Sequence, residues 1–410
     1  MRQFIFVATC IFLLLTFFSC SVAIGNHTVT LWTNKEEIIS FVEEYNNSQV
    51  KYKVQVFFRE SPIEDLLHSE ITPDLIFAEN LDTPLALSKI EPLSLLFYKD
   101  AIKPEQLYPD LRNMFARPDA RTVIPFSFNL PVIIYKKDSI PESADTAIDI
   151  NALRTISVQF NKKSGSTVQS IGFSPLWNTD FLISGSMLFG CNFHADSSGK
   201  MLYQEDALKS YIDYIQAWIS ESAFGYKAER YFTDRYLYDA AYNLVDSPDN
   251  SPSRTGFAFM LSNDLIRIPA PKDKKINFRW LSKDSIIPVN DRILYFGVIK
   301  NAVNRTGAYD FLKWAFDADV QIRVMTLNKQ RKTGYFGTAG GLSTIPRVNA
   351  VAFTQLYPQL DSHLPNPASL VFPPPLPANW QTLKRDVIFP WIVDMASGKE
   401  WIPIPYDPGA

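Results

Sequence analysis

Several things are scarce in this 410-residue chain, and each scarcity removes a class of function. There are three cysteines, Cys10, Cys20 and Cys191. Two of them lie in the first twenty residues, so no disulfide can form within the remainder. Histidine is as rare, with four residues. They are scattered (His27, His68, His194, His363), and none pairs at helical spacing with a glutamate to make a metalloprotease-type zinc site. CxxC and GxSxG are absent, and Gly334-Tyr335-Phe336-Gly337 lacks the Lys-Ser/Thr of a phosphate-binding loop. Lys162-Lys163-Ser164-Gly165-Ser166 reads as a solvated turn before it reads as an anion site. The 43 acidic residues single out no glycosidase-type carboxylate pair. No positive reason for an enzyme survives, and no cofactor is called for. Net charge is −3, without the basic patches that nucleic acid requires. There is no internal repeat.

What is present begins with an address. After Arg2, Phe4 to Phe18 is almost continuously apolar and ends in Ser19-Cys20. That length suits a signal-peptide core rather than a span. A small residue before cysteine resembles the bacterial lipoprotein signal, which implies cleavage, lipidation of Cys20 and a membrane anchor. Each acyl methylene entering the bilayer contributes ~0.8 kcal/mol. Phe17 and Phe18 stand where that pattern carries Leu and a small residue, so ordinary secretion or an uncleaved anchor stays open. No later apolar run reaches about eighteen residues, and the mature chain is expected to be soluble. Cys191 reads as a small buried hydrophobe.

Thr28 to Thr33 reads as a strand, Asn34 with Glu37 as a near capping box, and Ile38, Phe41, Val42 and Tyr45 as a helical stripe. Tyr52 to Phe58 and Pro73 to Phe77 are further strands around a short helix at 63–67. This order predicts an α/β, doubly wound parallel sheet with its ligand beyond the strands' carboxyl ends. The stretch 123–138, VIPFSFNLPVIIYKKD, organises the rest. Val132 to Tyr135 is a strand, and the two prolines predict that the part before it crosses open space as an interdomain hinge. Thr155 to Phe160 reads as a strand, and 181–189 as a helix. Leu208, Tyr211, Ile212, Ile215, Trp218 and Ile219 give an amphipathic helix. Gly256 to Leu261 and Tyr295 to Ile299 are strands. A helix is expected from Tyr309 through Val320, and a closing helix near Leu383 to Trp391 is kinked at Pro390.

IPFSFNLPVIIYKKD, the Pro-Asp-Leu strand and FGVIKNAVNRTGAYDFLKWAFDADVQ together resemble extracellular solute-binding proteins, the sugar-binding group serving ABC importers. Gly340-Gly341-Leu342-Ser343-Thr344-Ile345-Pro346 resembles that group's G-x-L-P turn, with Ser343 where Pro is usual. The resemblance implies a two-lobed periplasmic-binding-protein fold. Each lobe would be a mainly parallel sheet flanked by helices, with the ligand cleft between lobes. The expected partition is a signal at 1–20, the first part of the N-terminal lobe at 21–126, the first part of the second lobe at 127–262, and returning segments at 263–410. The implied partners are a small solute (a carbohydrate), ABC importer permease subunits and a membrane through the anchor, with the protein a monomer. A surface lipoprotein that keeps the fold for adhesion or scaffolding is the alternative. Iron-binding relatives use adjacent tyrosines, and no Tyr-Tyr pair occurs here.

A sugar site needs aromatic faces for C–H surfaces and polar side chains for hydroxyls. A hydroxyl left unpaired in a dry cleft costs ~1–3 kcal/mol. Trp32, Trp177 and Tyr295 are the stacking candidates. Asn34, Glu79, Asn129, Asp180 and Arg254 are the hydrogen-bonding ones. By analogy with the group, Arg254 and Phe259 fall near the cleft. Each has a plainer reading, as core residue, helix cap or surface charge.

Overall fold

The computed structural model describes residues 27–98, 102–115, 122–136, 139–140, 145–165, 167–222, 224–236, 254–267, 276–357, 360 and 362–406. The expected signal segment and Cys20 lie outside these residues. Ten strands build two sheets: β1 Thr28–Thr33, β2 Lys53–Phe58, β3 Leu75–Glu79, β4 Ile124–Phe128, β5 Pro131–Lys136, β6 Ala147–Asp149, β7 Phe257–Leu261, β8 Ile276–Ser282, β9 Leu294–Val298 and β10 Leu342–Ser343. The first sheet runs β10-β4-β9-β3-β1-β2, the second β7-β5-β8-β6. The helices used below are α1 Ile39–Ser48, α2 Ile150–Phe160, α3 Thr179–Leu188, α4 Glu205–Glu221, α5 Gly225–Tyr236, α6 Arg305–Ala315 and α7 Ala318–Arg331.

β1 to β4 share one direction, and β9 and β10 oppose them. In the second sheet β6, β7 and β8 agree and β5 opposes. Two of these exceptions, β5 and β9, have a common cause. β5 enters the second sheet from the first lobe, and β9 returns the other way. A strand entering a sheet at the edge nearest the other lobe must run against the strands that end there.

Aromatic rings account for much of the first core. Phe126 meets Phe41, Phe77, Phe296 and Phe316 with centroids 5.1–5.9 Å apart, mostly edge to face, the arrangement the ring quadrupole favours. In the second lobe α4 buries all six residues of its predicted stripe.

Three expectations need correction. The segment before Val132 does not cross open space, because Ile124–Phe128 is an internal strand between β9 and β10. Pro125 is accommodated where the β9 register shifts between Leu294 and Tyr295, so its missing N–H falls at a bulge. Pro131 opens β5, the strand position that tolerates proline. Only Asn129 and Leu130 lie between. Second, Thr155 to Phe160 is the latter part of helix α2 rather than a strand. Asp149 caps that helix by accepting from the Asn151 N–H at 2.8 Å. The hydroxyls of Thr155 and Ser157 donate to carbonyls four residues back, at 3.0 and 2.5 Å. Third, the helix through Tyr309 breaks before Val320. Asp317 starts α7 by accepting from the N–H groups of Asp319 and Val320.

Ser343 stands where the resembling turn has proline because its N–H is needed. It donates to Asn349 Oδ1 at 2.9 Å, and the hydroxyl donates to Gln321 Oε1 at 2.6 Å. At Pro390 the chain makes a π-helical turn, Lys384–Ile388, and resumes as Phe389–Ala396 with the proline in its first turn.

Helix α2 lies so close to the next segment that a Cβ on Gly172 would stand 2.2 Å from the Ser157 carbonyl oxygen. Gly172→Ala is therefore expected to cost about 3 kcal/mol of stability through overpacking against backbone. Urea unfolding measures it, and a loss below about 1 kcal/mol would show that α2 can move aside.

Candidate functional site

The parallel strands of the first lobe bring Thr33, Phe58, Glu79 and Phe128 to one edge, and the chain leaves for the second lobe from that edge. In open α/β sheets this is where ligands sit. Thr33, rather than Asn34, organises the first loop: its Oγ1 accepts from the Lys35 N–H at 3.0 Å. The helical turn that follows has no side-chain cap. Asn34 is exposed, and its amide donates to the Glu60 carbonyl at 3.4 Å. Glu79 accepts from Lys35 Nζ at 2.6 Å. Trp32 is only 3% exposed, and the Arg59 guanidinium caps its ring 4.5 Å from the centroid.

Two features of this edge escaped sequence reading. Phe58 closes β2 with 53% exposure, aligned with Thr33 on the neighbouring strand. Its signal was the Phe57-Phe58 doublet, which breaks the alternation of a half-buried strand and leaves both rings outside, Phe57 at 38%. Asp82 lies just beyond Glu79, after Asn80 turns the chain with φ 56°. Burial pushes the Asp82 carboxyl up to about 6, and the Tyr295 hydroxyl, donating at 3.2 Å, only partly offsets this. Tyr295 itself is a buried core residue of β9, its hydroxyl raised by the same burial. It offers no free face for stacking.

In the second lobe the turn Pro175–Trp177 leads into α3. Asn178 caps the helix, accepting from the N–H groups of Asp180 and Phe181 at 2.8 and 3.1 Å. Trp177 is half-buried. Its ring meets Phe173 edge-on at 5.7 Å, and its N–H donates to Thr233 Oγ1 at 3.0 Å. Beneath it, Glu229 is buried and accepts the Ser174 hydroxyl proton. Desolvation holds the Glu229 carboxyl up at about 7, and the serine lowers it too little to compensate. Asp180 is engaged inside the protein, with Lys384 Nζ at 2.8 Å and Arg292 at 3.5 Å.

Arg254 does not reach the cleft, contrary to the analogy. It lies just before β7 and stacks on Tyr236 at 4.1 Å. Because β7 runs towards the crossing and ends at Leu261 opposite Pro131, Arg254, seven residues earlier, is about 23 Å of extended chain away. Phe259 packs in the core against Phe181.

Asn129 sits between the lobes with both ends of its amide engaged. Its Nδ2 donates to the Gly340 carbonyl at 3.2 Å, and its Oδ1 accepts from Ser262 Oγ and the Asn263 N–H at 2.7 and 3.1 Å. The structure thus gathers Trp32, Asn34 and Glu79 with Phe58 on one edge, and sets Trp177 and Asp180 at the start of α3. Asn129 lies between them, and Tyr295 and Arg254 stand apart. Among the described residues no group of three or more His, Cys, Asp or Glu could hold a metal ion, and no helix is long and apolar enough to cross a membrane.

No family model matches the chain, and no curated protein sequence matches it. Solved structures do. The sugar-binding protein MalE from Xanthomonas citri superposes with a TM-score of 0.69 at 11% identity, covering 91% of this chain and 93% of that one. The cyclic alpha-maltosyl-1,6-maltose binding protein from Arthrobacter globiformis gives 0.60 at 16% identity, over 92% and 95%. An ABC substrate-binding protein from Listeria monocytogenes, solved in complex with cycloalternan, gives 0.60 at 11%, again over 92% and 95%. With nearly the whole of each chain superposed at so low an identity, what is shared is architecture: this chain has the two-lobed periplasmic-binding-protein fold.

Proposed function

We propose that this protein binds a carbohydrate solute between its lobes and delivers it to an ABC importer, making and breaking no covalent bond. The observation that supports this reading is that each lobe offers an aromatic ring: exposed Phe58 beside Asn34 at the strand ends of the first, and half-buried Trp177 at the start of α3 in the second. Aromatic faces flanked by amides and carboxylates suit the C–H surfaces and hydroxyls of a sugar. The structural neighbours support a carbohydrate as the ligand class, since by their own titles one is a sugar-binding protein, one binds cyclic alpha-maltosyl-1,6-maltose and one was solved with cycloalternan. In this reading closure of the lobes follows the differential affinity of the solute for the closed state. Lipidation of Cys20 would tether the chain to the envelope, and the intact mass of protein extracted from membranes tests that step.

The solute class is tested by a melting screen with mono- and oligosaccharides, with amino acids, peptides and metals as controls. A solute present at about a hundred times its Kd stabilises the native state by ~2.7 kcal/mol, and shifts confined to sugars are expected. With the sugar in hand, Phe58→Ala is expected to weaken affinity about tenfold, ~1.4 kcal/mol. The melting temperature of the free protein should hardly move, because the ring is already in solvent. Unchanged affinity would remove Phe58 from the site, and a screen flat across every class would overturn the binding function.

A further inference from the structure

Among the described residues three segments join the lobes, and they are fastened to one another. The first is Asn129-Leu130. The second, 289–293, runs from β8 back to β9, and the third, 371–376, leads to the C-terminal helices. Asn290 N–H donates to the Asn129 carbonyl at 2.9 Å and Val289 N–H to the Val371 carbonyl at 2.8 Å, so the three lie side by side. Phe372 belongs to the first lobe: its N–H donates to Asp110 at 2.9 Å and its ring meets Phe128 at 5.1 Å. Pro375 belongs to the second, where its carbonyl accepts from Ala195 at 2.8 Å. Only Pro373 and Pro374 remain between, and their φ angles are fixed by their rings.

The second segment carries a buried charge cluster. Asp291 and Lys384 have side chains 2% and 4% exposed and are joined at 2.8 Å. The same ammonium holds Asp180 of α3, 14% exposed, at 2.8 Å. The Trp380 N–H donates to Asp291 as well. Trp380 and Ile388 share a core with Leu182 and Ile183 of α3, and Lys384 opens the π-helical turn. Burying three charges together is rarely the best route to stability alone, since apolar residues of the same shape usually do as well. What apolar packing cannot do is grip a crossing strand at one definite residue. Lys384 reaches a carboxylate of the second lobe with one hydrogen bond and a carboxylate of the crossing with two others.

We propose that Lys384 is a bolt that makes the second crossing, up to Asp291, part of the second lobe. Arg292, 3.5 Å from Asp180, is held to the second lobe as well, so relative motion of the lobes is restricted to Asn129-Leu130, Ile293 and the Pro373-Pro374 strut. The proposal rests on the two-lobed architecture and needs no solute, so its failure is separable from failure of the sugar-binding reading.

The test is the inter-lobe distance distribution of unliganded protein by pulsed electron resonance. Spin labels go on Val50→Cys in the first lobe and Ser210→Cys in the second, both exposed, in the full chain with Cys10 and Cys20 changed to serine. Native Cys191 is fully buried and its thiol is pushed up to about 12 by burial, so it stays unlabelled. Lys384→Met alone leaves two carboxylates buried without their cation and is expected to lower the melting temperature. Asp180→Asn with Asp291→Asn and Lys384→Met removes the charges together and keeps an acceptor for Trp380. This triple variant is expected to recover most of the melting temperature and yet show a broader distance distribution than the parent. Faster amide exchange at Val289 and Asn290, with β1 and β3 unchanged, should accompany it. A distribution in the triple variant that matches the parent overturns the proposal and leaves the cluster as packing only.

Discussion

Asp74→Ala is expected to lower the unfolding free energy by about 4 kcal/mol. Asp74 is buried just before β3 and both of its oxygens are occupied. Oδ2 accepts from the N–H and hydroxyl of Thr30 in β1, at 2.8 and 2.9 Å. Oδ1 accepts from the Asn304 N–H at 2.7 Å. Asn304 in turn caps α6 through Gly307 N–H at 3.1 Å and donates to the Thr28 carbonyl at 3.1 Å. One carboxylate therefore ties two strands to the start of a helix more than two hundred residues later. Hydrogen bonds to a charged group contribute about 1.5–3 kcal/mol each, and alanine leaves the buried donors without partners. The negative charge is also favourable near a helix N-terminus. Asp74→Asn keeps acceptance at one oxygen and is expected to lose roughly half as much. Urea unfolding of the three proteins decides the matter. A loss below about 1 kcal/mol in the alanine variant would mean that water reaches these donors.

At pH 8, Glu229→Gln is expected to stabilise the protein by about 3 kcal/mol, and at pH 4 not at all. Glu229 holds its proton up to about 7, against an ordinary value of 4.5, chiefly because burial disfavours the carboxylate. A folded-state value above the unfolded one means that the native state binds the proton more tightly. Stability then falls as pH rises from about 4.5 through 7, and the full penalty is present above that window. Glutamine carries no charge and still accepts from Ser174. The gain should therefore open across the same window, which unfolding curves at several pH values would trace. An equal effect at both ends would trace the change to packing rather than to charge. Because Ser174 begins the turn that carries Trp177, a cationic group entering beside this turn would also erase the gain.

Elements set by local chemistry alone were legible in the sequence. The Pro-Asp-Leu strand, the six-residue stripe of α4 and the strands at 257–261 and 294–298 follow from periodicity and composition. The hinge was legible as two prolines around Ser127 and Asn129, but its width was not. Whether proline ends a strand or hides at a bulge depends on the partner strand, here β9. The candidate site divided in the same way. Asn34 and Glu79 stand at the ends of parallel strands, a placement that local pattern predicts. Tyr295 also lies in a strand near that edge, but the two faces of a strand are indistinguishable until something packs on them. Asp180 and Asn129 look like free polar groups in the sequence because their partners, Lys384 and Gly340, lie more than two hundred residues away. Phe58 and Glu229 carry no motif, and only the fold leaves one exposed and the other buried.

By itself the sequence determined the class of the molecule: an α/β chain without disulfide, metal or nucleophile motifs, with a short proline-bounded passage between two core-forming regions. These are properties of neighbouring residues, set by backbone sterics and the period of apolar side chains. Tertiary structure alone decided which polar residues face the space between the lobes and which are locked against one another. A buried charge is tolerable only beside its counter-charge, and that pairing exists only once distant segments have been brought together.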